Sequence, residues 1–316
     1  MQWSVTDSKI YRRCSRQWYF YRLFSSHKAK DPARRKAFRL GKLQSISAWR
    51  GSVVDDVLSE TLIPALGRNV APNLRRLIEK ALERFDKCLE VARQHRVFED
   101  GIKFSEEKDF AAFHCMEYGG DIPEEEVETA RSEVRQAITN LFSSEMEPLR
   151  KKLKEAEYIA PQRSIWFQHT DVSARATPDV TAFFSDEPPL IVDWKVHTFG
   201  QHEAWLQLGV YAIALVRGTR PVNYTGYWQN WNEGDIQLME AQFLTNRLRE
   251  YRLTEEAGRQ LDQYIASSIV EMQYAVDGRK PEEMQAEEFP VTKYPDECDR
   301  CQYRALCWEE NGNGRT

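Results

Sequence analysis

The run Leu190-Ile-Val-Asp-Trp-Lys-Val places an acid and a lysine two residues apart, at Asp193 and Lys195. In a strand, side chains alternate, so both point to one face. The apolar residues before them predict a strand inside a sheet, where an acid and a lysine are costly unless they share a partner. A divalent cation on the carboxylate is one solution, with Lys195 holding and helping to deprotonate a water beside it. Asp179, in Thr-Pro-Asp-Val, lies 14 residues upstream on the preceding predicted strand. A hairpin turning at Ser185–Pro188 brings it next to Asp193. Two carboxylates one strand apart make a hard-oxygen site suited to Mg²⁺ or Mn²⁺. A D-x-K pair alone is commonly a surface ion pair; the upstream aspartate and the following helix set this one apart. In that helix Gln207 and Tyr211 are i and i+4, hence on one face. Their amide and hydroxyl suit a phosphate or a flipped-out base, and Gly209 between them permits close backbone approach. Gly51 and Asp55 of Arg-Gly-Ser-Val-Val-Asp are again i and i+4, so Asp55 is a further candidate metal oxygen, with Asp56 and Glu60 facing solvent.

Six cysteines are present. Cys88 and Cys115 sit in sequences that read as ordinary buried positions. Cys298, Cys301 and Cys307 differ, because C-x2-C-x5-C in a short polar tail lets thiolates converge on one metal across a tight turn. Three thiolates are one short of a closed site, and Cys14 supplies the fourth. A site of Cys14, Cys298, Cys301 and Cys307 would clip the two ends of the chain together. Four thiolates fit Zn²⁺ or an iron–sulphur cluster, and the spacing does not choose between them.

The elements that must position these groups follow from periodicity. Helices are expected at 7–24, from Gly51 to Leu62, at 73–95, at 124–157, at 200–217 and at 244–277; strands at 158–170, 177–185, 189–196, 222–229 and 236–243. The segment 105–120 is ambiguous. No repeat or clean linker divides the 316 residues, which fit one large domain. Its parts are a basic segment over 1–50, a helical insertion over 65–157, a sheet core over 157–243 and a cysteine tail over 290–310.

The formal charge is −5, but residues 1–50 hold 13 lysines and arginines against two acids. A basic arm on an acidic body points to a polyanion near the N-terminus. Rings are interleaved with these charges, at Trp3, Tyr11, Trp18, Tyr19, Phe20, Tyr21, Phe24, Phe38 and Trp49. Most are expected to pack around the Cys14 segment. Arg34, Arg35, Lys36 and Arg39 are the candidates for a solvent-facing phosphate track. Mean hydropathy is −0.64, and no apolar run approaches the roughly 18 residues of a membrane span. With no apolar leader at the start, the expectation is a cytoplasmic protein with no membrane partner.

Pro178-Asp179, Asp193-Trp194-Lys195, Gln207-Leu-Gly-Val-Tyr211 and the four cysteines together resemble the PD-(D/E)XK nuclease superfamily. The resemblance is to its RecB-like iron–sulphur branch, which includes the CRISPR adaptation exonuclease and the AddB nuclease domain. It runs from residue 14 to residue 307 in the family's order. It implies an α/β fold: a restriction-endonuclease-like mixed central sheet flanked by helices, with a helical insertion and a cysteine-ligated cluster joining the termini. It further implies that Asp179, Asp193 and the Trp194 backbone carbonyl ligate Mg²⁺ or Mn²⁺, and that Lys195 orients the attacking water. Gln207 and Tyr211 would position substrate, and the four cysteines would hold a structural 4Fe–4S cluster. One departure stands out. The family's G-x-x-x-H motif ends here in Asp55, which alters metal preference or weakens activity; His197 and His202 flank the site. The expected function is phosphodiester hydrolysis of DNA, single-stranded above all, in repair, recombination or defence, with a helicase or other protein as partner. The rivals are a non-catalytic nucleic-acid-binding scaffold and a zinc-stapled RNA-processing protein.

Overall fold

The computed structural model describes residues 2–68, 70–99, 101–104, 106–196, 204–218 and 231–309. The chain divides into two compact units. The first comprises residues 1–4, 47–85 and 124–267; the second comprises 5–46, 86–123 and 268–316.

The first unit carries both sheets. A three-stranded sheet contains β1 (Gln2–Trp3), β3 (Ile165–His169) and β4 (Val172–Ala176) in the order β1-β4-β3. A five-stranded sheet runs β2-β5-β6-β7-β8, from β2 (Tyr158–Pro161), β5 (Val180–Phe183), β6 (Leu190–Lys195), β7 (Gln237–Gln242) and β8 (Arg247–Tyr251). β6 pairs antiparallel with β5 and parallel with β7, so it lies inside a mixed α/β sheet as expected. Leu190, Ile191 and Val192 have no exposure at all. Around the sheets stand α3 (Ile46–Val57), α5 (Glu124–Asn140), α6 (Glu147–Glu155) and α7 (Ala204–Arg217). Eight of the fourteen residues of α7 are apolar and buried besides Gly209 and Tyr211, because that helix packs on strands of both sheets. Among the described residues no helix is long and apolar enough to cross a membrane.

In the second unit α1 (Val5–Arg13) and α2 (Pro32–Leu40) bracket a wide turn at Tyr19–Phe24. Trp18, Tyr19 and Phe20 are buried there, with Tyr19 stacked on Phe289 at 4.7 Å and Phe20 on Tyr303 at 5.8 Å. These three rings form core, as was expected of most rings here, whereas Tyr21 and Phe24 are half-buried. Of the remaining long helices, α4 (Leu74–Ala92) falls within the helix expected over 73–95, and α8 (Glu255–Val276) covers only the later part of the one expected over 244–277.

Several elements depart from the sequence expectation. The helix expected over 7–24 breaks at Cys14, whose extended backbone lets its sulphur accept a hydrogen bond from the Gln17 N–H and cap a new turn. The helix expected over 51–62 begins at Ile46 and continues to Gly67, Pro64 being tolerated because it sits in the first turn of the last helical segment. Residues 124–157 form two helices separated by a turn. The strand expected over 158–170 is two strands in different sheets, broken where Gln162 takes a positive φ of 44°. β4 was not foreseen. Residues 244–254, expected as helix, instead form a tight turn with Asn246 at φ 51° followed by β8. The strand expected near 222–229 lies outside the described residues.

Gly209 is required by packing. A Cβ there would lie 2.3 Å from Leu261 Cδ1, and Leu261 is fully buried. Gly209→Ala should gain about 1 kcal/mol of helix propensity and lose about 1–3 kcal/mol to overpacking. The expected result is a net fall in Tm, read by thermal unfolding.

Candidate active site

β6 delivers Asp193 and Lys195 to one face by alternation, and burial decides what they can do. Asp193 is fully buried, and the Lys195 ammonium lies 2.6 Å from its Oδ2. The β5–β6 register pairs Val180 with Val192, so Asp179, one residue before β5, comes level with Asp193. The Trp194 backbone N–H donates to Asp179 Oδ2 at 2.8 Å. From α3, Asp55 reaches the same place. Its Oδ1 accepts the Trp194 indole N–H at 2.7 Å, and its Oδ2 accepts the Gln162 amide. Trp194 therefore holds two carboxylates, one through its backbone and one through its ring.

These groups line one cavity of about 320 Å³, with Asp55, Asp179, Asp193, Lys195 and Gln207 on its walls. Gly51 borders it too, and a Cβ there would meet nothing within 4 Å, so the helix surface stays open at that point. On α7 the Gln207 amide donates to the Tyr211 hydroxyl at 2.5 Å. The i, i+4 pair is thus formed.

The electrostatics are those of crowded anions. Burial first, then the charges of Asp193 and Asp55, holds the Asp179 carboxyl well above the usual aspartate range, despite Lys195. Burial raises Asp55 as well, against the two hydrogen bonds it accepts. Burial alone would lower the Lys195 ammonium, but Asp193, Asp179 and Glu240 outweigh it, so the lysine stays charged. Burial and the same aspartates push the Tyr211 hydroxyl up, keeping it a neutral donor.

Glu240 is a member of this neighbourhood that sequence reasoning missed. It is fully buried on β7, directly opposite Asp193 in the parallel register. Its carboxylate accepts from the Gln242 amide at 2.8 Å and from the Tyr251 hydroxyl at 2.6 Å. A lone acid in the apolar run Leu238-Met-Glu-Ala was the available signal.

Hard oxygens around one lysine fit a hard dication by donor chemistry, because their combined negative charge exceeds what Lys195 balances. Each carboxylate is nonetheless tied to its own protein donor. Among the described residues no three His, Cys, Asp or Glu side chains close on a common point as a formed metal centre would.

The four predicted cysteines are brought together in the second unit, where Cys14, Cys298, Cys301 and Cys307 line one small cavity. Burial, with the nearby thiols, pushes the Cys301 thiol up to about 12. Arg16 donates to Cys307 Sγ at 3.8 Å, and the Tyr118 hydroxyl donates to the Gln302 carbonyl at 2.6 Å, fixing the loop between the second and third cysteines of the tail. Soft sulphurs are the donor type that Zn²⁺ or an iron–sulphur cluster takes, but among the described residues no three of these cysteines close on a common point as a formed metal centre would.

Arg34, Arg35, Lys36 and Arg39 lie on α2, in the second unit. Arg34 donates to the Phe24 carbonyl at 2.9 Å and to Glu282, Arg35 to the carbonyls of Ala29 and Lys30, and Arg39 to the Phe98 carbonyl at 2.7 Å. Much of this cationic capacity ties the segment to its own unit. His197 and His202 lie outside the described residues.

No match is found among the curated proteins. Among solved structures the chain is similar to the crystal structure of SSO0001, at 11% identity and a TM-score of 0.29, covering 74% of this chain and 93% of that one. It is also similar to protein VC1899 from Vibrio cholerae, at 12% identity and a TM-score of 0.24, covering 72% of this chain and 63% of that one. The family model of the PD-(D/E)XK nuclease superfamily matches residues 2–308. The chain belongs to the PD-(D/E)XK nuclease superfamily.

Proposed function

We propose that this protein is a divalent-metal-dependent deoxyribonuclease of the RecB-like iron–sulphur branch, cleaving single-stranded DNA in repair, recombination or defence. The observation that carries the reading is the Lys195 ammonium, 2.6 Å from buried Asp193, in a cavity that Asp179 and Asp55 also line. Asp55, Asp179, Asp193 and the Trp194 backbone carbonyl would hold Mg²⁺ or Mn²⁺. When bound, the ion polarises a phosphoryl oxygen, activates water and neutralises developing charge. Lys195 orients the nucleophile and adds a fixed positive charge where the phosphoryl oxygens become more negative. Tyr211, kept neutral by its surroundings, donates to substrate, with Gln207 fixing its hydroxyl. The working place is the cytoplasm, with a helicase or another repair or defence protein as partner.

The test is cleavage of labelled single- and double-stranded DNA and RNA with Mg²⁺, Mn²⁺ or EDTA. Metal-dependent cleavage favouring single-stranded DNA is expected. Binding without cleavage would favour the second reading, a catalytically weakened scaffold subunit, which the Asp55 substitution motivates.

We assign a 4Fe–4S cluster to Cys14, Cys298, Cys301 and Cys307, with Zn²⁺ as the alternative. Anaerobically purified protein should be brown and absorb near 400 nm, and Cys301→Ser should lose the colour and unfold at lower temperature. A colourless, zinc-loaded protein would replace the cluster by zinc.

A further inference from the structure

We propose that Trp166 and Arg175, on the outward face of the three-stranded sheet, form a stacking platform that receives single-stranded nucleic acid on its way to the carboxylate cavity. The proposal rests on the nuclease reading and adds a substrate site to it.

β3 and β4 alternate cleanly. Ile165, Phe167, Val172, Ala174 and Ala176 face inward and are buried, whereas Trp166 and Arg175 face outward as register partners. Trp166 is 43% exposed, and Val70 is the other large hydrophobic exposed among the described residues of the first unit. Leaving an indole in water forgoes a large apolar gain, although the inward face of the same hairpin is closely packed. The Arg175 guanidinium stands 5.9 Å from the ring centroid, near the outer limit of a cation–π contact. An exposed ring beside a cation suits single strands, because every base has a π-face and every linkage a phosphate.

Both strands lead to the cavity. Trp166 follows, by four residues, the Gln162 whose amide holds Asp55, and Arg175 precedes Asp179 by four. Ser164 and Thr177, linked through their hydroxyls at 3.0 Å, pin the two strands together at that end. Four residues reach at most about 14 Å, the length of about four stacked nucleotides. A strand whose scissile phosphate lies in the cavity can therefore place a nearby base on Trp166. A plain surface pair would also place Arg175 beside Trp166, but it predicts no effect on nucleic-acid binding.

The test uses the full chain in EDTA, with fluorescein-labelled oligo(dT) and oligo(U) read by anisotropy. Trp166→Ala should weaken binding about five- to 100-fold, the range that stacking on one ring carries. Trp166→Phe should retain most of it. Arg175→Ala should lower the salt slope by about one. Weakening with both polymers means that the sugar is not read, and weakening with one identifies the preferred strand; either supports the platform. A Trp166→Ala chain with unchanged Tm and unchanged affinity for both polymers overturns it. With metal added, turnover of a dinucleotide too short to span from cavity to ring should be untouched by Trp166→Ala and lost in Asp193→Asn. If Asp193→Asn cleaves normally, the nuclease reading of the cavity fails, independently of the platform.

Discussion

Asp193→Asn should lower the rate of phosphodiester cleavage by about 10²–10³-fold, the scale of removing one preorganised charge from a hydrolytic site. The substitution is nearly isosteric in a position with no exposure, so packing on β6 is kept while the charge facing Lys195 is removed. Lys195→Ala should fall comparably, and Lys195→Arg should not restore it, because a planar guanidinium cannot take the place of a compact ammonium at 2.6 Å. Stability should move the other way. Burial, and then the charges of Asp193 and Asp55, raises the Asp179 carboxyl above its unfolded value. A group raised in the folded state stabilises fully below the unfolded value, about pH 4, and that contribution is lost as pH rises through the folded value. The metal-free chain should therefore lose Tm between acid and neutral pH, and Asp193→Asn should lose less of it. Normal cleavage by Asp193→Asn would remove the cavity from the reaction.

Trp194→Phe should raise the Mn²⁺ concentration needed for half-maximal cleavage by about 10–100-fold, the usual consequence of losing a hydrogen bond that orients a metal-ligating group. The backbone N–H to Asp179 survives the substitution, so the change isolates the indole bond to Asp55 Oδ1 at 2.7 Å. A phenyl ring still fills most of a site that is only 5% exposed and faces Phe243 at 6.2 Å. Asp55 then keeps only the Gln162 amide and swings more freely. Asp55→Asn should shift the metal requirement in the same direction, and the two changes combined should cost little more than either, since they act through one carboxylate. An unchanged requirement in both variants would take Asp55 out of the site.

The part of this arrangement legible in the sequence is the part set by local chain geometry. Alternation along Leu190–Lys195 gave the shared face of Asp193 and Lys195, and the Ser185–Pro188 turn gave the level of Asp179. The helical period gave Gln207 beside Tyr211. What was not legible depends on contacts far apart in the chain. Nothing local to Trp194 says that its indole finds an aspartate 139 residues away. Arg34, Arg35 and Arg39 read as free cations because the carbonyls that hold them carry no sequence signature. β8 read as helix because Arg247, Leu248, Arg249 and Glu250 are good helix formers. Pairing with β7 across the Asn246 turn overrides that propensity.

The most direct test of the central claim is a calorimetric titration of Mn²⁺ into metal-free protein, wild type against an Asp179→Asn, Asp193→Asn double variant. Saturable binding to the wild type that disappears in the double variant is the predicted result. Equal binding by both proteins, or none by the wild type, would contradict it.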